Sequence, residues 1–234
     1  MFHVKICGVT SAADARLAAD AGADAVGLNF IAGSPRRLDP ARARDVAAAV
    51  PRGVLRVGVF AGCPAAEMLA VVRAVGLDAV QLHGHLAPGG GPCDPPSRCA
   101  ELGGLPVIRA ARLAAGPPGE ALAAVRTWIA AAVAAGRGPA LVIVDAAVPA
   151  ATAAGLLGGT GHTVDWEALS RAGTLAVPMA LAGGLTPANV AAAIRATGMG
   201  AVDTASGVEA APGRKDPLKV RQFVATARAA LGLA

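Results

Sequence analysis

Two periods of hydrophobic patterning take turns along this chain. Val4 and Ile6 alternate with Lys5 and Cys7, the period of two that suits a short strand, and Gly8 ends it. An alanine-rich run begins behind Thr10-Ser11, which supply a capping side chain. A helix is therefore predicted over 11–21, with Gly22 as its stop. The same exchange of strand for helix then recurs. Strands are predicted over 25–30, 54–60, 78–82, 106–110, 140–144, 177–182 and 201–203. Helices are predicted from Asp39-Pro40 to Val50, from Cys63-Pro64 to Val75, over 98–102 and 118–135, and from Thr186-Pro187 to Thr197; a last one over 217–231 closes the chain.

One junction comes back three times: Gly22-Ala23-Asp24-Ala25-Val26, Gly76-Leu77-Asp78-Ala79-Val80 and Gly198-Met199-Gly200-Ala201-Val202. Each reads as helix stop, short turn, buried strand. Repeated βα units imply a parallel sheet, and 234 residues leave room for about eight such units. The expected fold class is α/β, a single (β/α)8 TIM barrel. Two loose stretches interrupt the rhythm, 85–97, rich in Gly and Pro, and 146–162, which holds Gly158-Gly159-Thr160-Gly161. Strands resume after each, so neither is a domain linker, and residues 1–234 are read as one catalytic domain.

Composition changes the picture little. Over half the residues (54%) are hydrophobic, enough for a large core, though much of that fraction is alanine. A net charge of +5, spread rather than clustered, suits a small anionic substrate and equally an ordinary solvated surface. There is no Tyr, and the few Phe and Trp are not interleaved with basic residues, which argues against nucleic acid as a partner. Charged residues within the first turns exclude a signal peptide, and no apolar run reaches the ~18 residues of a membrane span. Cys7, Cys63, Cys93 and Cys99 form no paired framework, so the chain reads as cytoplasmic and reduced.

Candidate chemistry sits at strand ends. Cys7 falls at the carboxyl end of strand one, the end at which parallel α/β proteins carry their active sites; the alternative is a small buried hydrophobe. Asp145 ends the apolar run Leu141-Val142-Ile143-Val144, where a carboxylate is costly unless used or well paired; it could also be a helix cap. A thiolate base facing a carboxylic acid is the pairing that moves a proton off carbon while protonating an oxygen. Loops Ala182-Gly183-Gly184-Leu185 and Thr204-Ala205-Ser206-Gly207 follow strands seven and eight, where such barrels hold phosphate on backbone amides and a short extra helix. No G-x-x-x-x-G-K-[ST] or G-x-G-x-x-G occurs, which removes nucleotide sites of those types. His83, His85, Cys93 and Cys99 match no usual zinc spacing, and no metal is expected. Arg36 and Arg37 follow strand two, where a guanidinium could fork onto a carboxylate, or simply lie on the surface.

These stretches together resemble the phosphoribosylanthranilate isomerase family of tryptophan biosynthesis. The matching segments are Val4-Lys5-Ile6-Cys7-Gly8, Gly22 through Gly27, Arg56 through Phe60 and Val80-Gln81-Leu82-His83-Gly84. Later come Gly158 through Gly161 with Asp165-Trp166, Leu181 through Leu185, and Val202-Asp203 through Ser206-Gly207-Val208-Glu209 to Pro212-Gly213 and Lys215-Asp216. The resemblance implies a cofactor-free Amadori rearrangement of N-(5′-phosphoribosyl)anthranilate to 1-(2-carboxyphenylamino)-1-deoxyribulose 5-phosphate. By it, Asp145 is the general acid at the furanose oxygen and Cys7 the general base at C2′. Arg36 would hold the anthranilate carboxylate; Gly183, Gly184, Ser206 and Gly207 would cradle phosphate; His83 and Asp203 complete the substrate-binding set. The only expected partner is a small phosphorylated molecule, with no membrane contact, and the chain is a monomer or homodimer. Departures from the family pattern are Asn29 in place of an apolar residue, a longer 85–97 loop, Ala146-Ala147 after Asp145, and Thr204-Ala205. Rival readings are another phosphosugar barrel enzyme and a silent phosphate-binding module. An epimerase uses carboxylates and a metal; a synthase relies on lysines, and no lysine ends any expected strand. A silent module would have no reason to keep both Cys7 and Asp145.

Overall fold

The computed structural model describes residues 1–84, 94–112, 118–145 and 166–233. Eight parallel strands close into a barrel in chain order: β1 (Val4–Cys7), β2 (Ala25–Asn29), β3 (Leu55–Phe60), β4 (Ala79–Leu82), β5 (Val107–Arg112), β6 (Leu141–Asp145), β7 (Met179–Leu181) and β8 (Val202–Thr204). β1 pairs with β2 on one side and β8 on the other, which completes the ring. The helices alternate with them: α1 (Ala12–Asp20), α2 (Pro40–Ala48), α3 (Ala65–Val75), α4 (Arg98–Glu101), α5 (Pro118–Ala134), α6 (Trp166–Arg171), α7 (Val190–Thr197) and α8 (Pro217–Ala230).

Local signals set these ends. Ser11 accepts from Asp14 N at the start of α1, Asp39 accepts from Arg42 N ahead of Pro40, and Asp216 accepts from Leu218 N and Lys219 N. Gly76 and Gly198 close α3 and α7 in the left-handed conformation, with φ of 76° and 65°. The repeated junction has a physical basis beyond its glycine. Asp24, just before β2, accepts from the backbone N–H of Val4 at 2.8 Å; Asp78, just before β4, accepts from that of Arg56 at the same distance. In both, the carboxylate ties the entry of one strand to the entry of its neighbour.

Closing the sheet buries both of its faces. Val4, Ile6, Val26, Leu28, Val142 and Val144 turn outward into the layer beneath the helices. The opposite pleat carries a separate interior cluster of Phe2, Ala25, Val57, Ala79, Ile108, Leu141, Ile143, Ala180, Ala182 and Ala201. Val220, Phe223, Val224 and Ala227 of α8 seal the outer layer, each large side chain contributing about 1.5–3 kcal/mol by burial.

Four details differ from the sequence expectation. A short helix, α6, stands between β6 and β7, and β5 runs on to Arg112. The helix expected behind Thr186-Pro187 starts at Val190, because Asn189 folds back to accept from Thr186 N at 2.7 Å and donate to Gly184 O at 3.0 Å. After β8 comes a three-residue 3-10 turn, Ser206–Val208, then a hairpin of β9 (Glu209–Ala211) and β10 (Arg214–Lys215) that the sequence pattern did not reveal.

Candidate active site

The carboxyl ends of the strands surround one cavity. Cys7, Asn29, Asp145 and Asp203 line it from β1, β2, β6 and β8, Gln81 and His83 both come from β4 and the residue after it, and Arg36 reaches in from the loop after β2. The loops after β7 and β8 form the remaining wall with Gly183, Gly184, Ser206 and Gly207. Every residue singled out from the sequence as catalytic or substrate-binding therefore lines the same space.

Cys7 ends β1, beside Gly27 of β2 in the ladder. Burial pushes its thiol up; the ammonium groups of Lys5 and Lys215 pull it back, while Asp203 adds to the rise. Asp145 ends β6, 14% exposed, and its Oδ2 stands 4.0 Å from His83 Nε2 across the cavity mouth. Asp203 does not simply point at open space. Its Oδ1 accepts from Lys5 Nζ at 3.0 Å, and Lys5 is fully buried inside the barrel.

Arg36 is already engaged. Its Nε and Nη2 donate to Glu209 Oε1 and Oε2 at 2.8 and 2.7 Å, a fork onto a carboxylate of the protein itself. Glu209 also accepts from Lys215 Nζ at 3.1 Å and from Gly213 N at 3.3 Å. Lys215 in turn donates to the carbonyls of Cys7 (2.6 Å) and Ala205 (2.9 Å), so one buried ammonium stitches β1 to the β8 loop. Asn29 organises the approach to Arg36: Oδ1 accepts from Ile31 N at 2.8 Å and Nδ2 donates to Ser34 Oγ at 3.1 Å, while Ser34 Oγ accepts from Arg36 N at 3.2 Å. A polar residue at position 29 is thus consistent with the site.

The glycine loops have steric reasons to be glycine. Gly183 and Gly184 both take positive φ, 87° and 64°, which side chains rarely adopt. A Cβ on Gly207 would collide with the carbonyl oxygen of Leu185, the same oxygen that accepts from Thr204 Oγ1 at 2.7 Å. The two loops are therefore packed backbone on backbone. The short extra helix expected there is the 3-10 turn that begins at Ser206.

Among the described residues no cluster of His, Cys, Asp or Glu could hold a metal ion. Cys99 is fully buried in the core on α4 with its thiol pushed up to about 11 by burial, which is a hydrophobe's setting. His85 and Cys93 lie outside the described residues, as do Gly158 through Gly161 and Asp165.

Sequence reasoning missed Lys5, Lys215, Glu209 and Gln81 as parts of this site. No lysine ends any of the eight barrel strands, but Lys5 lies one pleat beneath Cys7 and Lys215 ends the small hairpin beside it. Gln81, 2% exposed, leaves Oε1 without a hydrogen-bond partner in the cavity wall. A polar residue within an otherwise apolar strand was the available signal for Gln81, whereas Lys5 falls on the side of an alternating strand that reads as polar.

Comparison with known proteins agrees with this geometry. A family model described as N-(5'phosphoribosyl)anthranilate (PRA) isomerase matches residues 4–89 and 130–226. The N-(5'-phosphoribosyl)anthranilate isomerase of Rubrobacter xylanophilus is 43% identical over 228 residues, covering 97% of this chain and 100% of that protein. A crystal structure of phosphoribosyl anthranilate isomerase in complex with reduced 1-(o-carboxyphenylamino)-1-deoxyribulose 5-phosphate superposes with a TM-score of 0.75 at 30% identity, covering 98% of this chain and 100% of that one. The Thermotoga maritima enzyme, described as dimeric and solved as generated monomers, has a TM-score of 0.75 at 29% identity with the same coverage.

Proposed function

This chain belongs to the N-(5′-phosphoribosyl)anthranilate isomerase family, and from that premise we propose that Cys7 and Asp145 are the base and acid of its reaction. The reaction is the Amadori rearrangement of N-(5′-phosphoribosyl)anthranilate to 1-(2-carboxyphenylamino)-1-deoxyribulose 5-phosphate, a step of tryptophan biosynthesis. The observation that carries the assignment is the placement of Cys7 on β1 and Asp145 on β6 in the wall of one cavity that also holds the paired glycine loops.

The protonated Asp145 carboxyl gives its proton to the furanose ring oxygen. The C1′–O bond breaks, and the anilino nitrogen supplies the electron pair of the Schiff base. The Cys7 thiolate then takes the C2′ proton; the C–H electrons form C1′=C2′ and return a pair to nitrogen, giving an enolamine. Loss of the enol proton and protonation at C1′ leave the ketone. Only protons move, so the scheme calls on no cofactor. His83, 4.0 Å from Asp145, sits where it can keep the carboxyl oriented.

The phosphate is assigned to the backbone amides of Gly183, Gly184, Ser206 and Gly207, where glycine permits close approach. Arg36 is assigned to the anthranilate carboxylate, held in place by Glu209. Asp203 contributes to the same wall. The proposal extends to one catalytic domain over residues 1–234, working in the cytoplasm on a small phosphorylated substrate as a monomer or homodimer, without nucleic-acid or membrane partners. Among the described residues no helix is long and apolar enough to cross a membrane.

The test is loss of anthranilate fluorescence when purified protein meets the substrate with no metal or cofactor added. Turnover is the expected result; a folded protein that leaves the signal unchanged would overturn the reading.

A further inference from the structure

Lys5 is the least expected residue in the barrel. Among the described residues it is one of the largest fully buried side chains, 0% exposed beside an interior of alanines and branched residues. Among the described residues its carboxylate partner is Asp203, directly opposite in the β1–β8 register and 3.0 Å away. Lys5 and Cys7 share the inward pleat of β1, so the ammonium lies just beneath the thiol. Both rest against Gly27 of β2, where a Cβ would come within 2.7 Å of Cys7 Sγ and 3.2 Å of Lys5 Nζ. The absence of a side chain at position 27 is what lets the two groups occupy the same corner.

The charges around that corner do not balance. Lys5 from β1, Arg36 from the β2 loop and Lys215 from β10 are three cations facing the carboxylates of Asp203 on β8 and Glu209 on β9. Asn29 and Val59, from β2 and β3, bring no charge, and His83 and Asp145 stand on the wall formed by β4 and β6. By formal charge the cations outnumber the carboxylates by one on the side of the cavity where the thiol sits.

We propose that Lys5 is a positioning residue that supplies the counter-charge for a Cys7 thiolate, with Asp203 fixing its ammonium in place. The proposal rests on the assignment of Cys7 as the base. A buried thiol resists ionisation, and a fixed cation beside it offsets that resistance without having to be reorganised when substrate arrives. The neighbouring groups act in the corresponding senses: Lys5 pulls the buried thiol's pKa down and so favours the thiolate, Asp203 pushes it up, and Cys7 and Asp203 both favour the charged form of Lys5.

This arrangement makes two predictions of opposite sign. Lys5→Met removes the cation and leaves Asp203 beside the thiol, so Cys7 should ionise at higher pH. Asp203→Asn keeps the cation and removes the anion, so Cys7 should ionise at lower pH. The readout is the ultraviolet absorbance of the thiolate against pH, taken as the difference from a Cys7→Ser protein in each background so that Cys63, Cys93 and Cys99 cancel. The midpoint should move up by about one pH unit or more in Lys5→Met, a tenfold change in the ionisation constant, with Lys5→Arg close to the parent. The acid limb of the kcat/KM profile should move with it. A loosened structure would shift both variants the same way. If Lys5→Met does not fold, the downward shift in Asp203→Asn still decides. Unmoved midpoints, or shifts of one sign, would overturn the proposal. Shifts of opposite sign in a protein whose Cys7→Ala variant remains active would support the charge coupling and remove the base assignment instead.

Discussion

Arg36 and Glu209 meet in a two-pronged ion pair, Nε to Oε1 at 2.8 Å and Nη2 to Oε2 at 2.7 Å, between residues 173 apart in the chain. The pair binds the loop after β2 to the hairpin after β8 and aims the guanidinium at the cavity. It also leaves fewer donors for the substrate than a free arginine would have. Arg36→Ala should therefore raise KM by about 10–100-fold with kcat changed only a few-fold, the value of a charge-assisted hydrogen bond. Glu209→Gln should raise KM less, because an amide still accepts from Arg36. Steady-state kinetics decide, and an unchanged KM in Arg36→Ala would make the fork purely structural.

Glu209 also carries a pH signature. Burial pushes its carboxyl up, but hydrogen bonds and charge from Arg36 and Lys215 outweigh that and hold it below the ordinary 4.5. A folded-state value lower than the unfolded one gives stability that is present above the unfolded value and lost as pH falls through the folded value. The Tm difference between the parent and Glu209→Gln should be largest near neutral pH and should close as pH drops below about 4.3. A difference that grows in acid would contradict the assignment of its partners.

Much of this architecture was legible in the sequence, for reasons that can be named. Each glycine stop and each Asp or Ser cap acts within a few residues, so Gly22, Gly76, Gly198, Ser11 and Asp39 announced their elements. Cys7 and Asp145 stood out because each ends an otherwise apolar or alternating run. Lys5 did not, because alternation of Val4 and Ile6 with Lys5 reads as one buried face and one wet face. In a closed barrel both faces are buried, and the side that looks polar is the interior. The hairpin at Glu209–Lys215 was illegible since strands of two or three residues carry no measurable period. Its partners lie up to 208 residues away, at Cys7.

The packing of the two phosphate-loop candidates can be tested through one atom. Gly207→Ala sets a methyl group against the Leu185 carbonyl, and backbone cannot yield as a flexible side chain would. The two loops must part. KM should rise about tenfold or more, while competitive inhibition by inorganic phosphate should weaken in parallel. Loss of activity with phosphate inhibition unaltered would place the phosphate elsewhere.

Asp94 is a fourth point of attack, away from the chemistry. It is fully buried, its Oδ1 accepts from Gly62 N at 3.0 Å and its Oδ2 from Gly84 N at 2.6 Å, with Arg109 Nη1 3.9 Å off. Those bonds pin the loops after β3 and β4, and Gly84 directly follows His83. Asp94→Ala strands the buried N–H of Gly84 and frees that of the exposed Gly62, and should cost about 1–3 kcal/mol in urea unfolding. A loss below about 0.5 kcal/mol, the scale of a surface change, would mean that the loops are held by other contacts.

The central claim is the division of labour between Cys7 and Asp145, and the kcat of two single variants tests it most directly. Anthranilate fluorescence followed under saturating substrate should show Cys7→Ala and Asp145→Asn each slower than the parent by about 10²–10⁴-fold, with KM within a few-fold. If either variant turns over at a rate near the parent's, that residue is not the proton donor or acceptor assigned to it, and the pair is wrong.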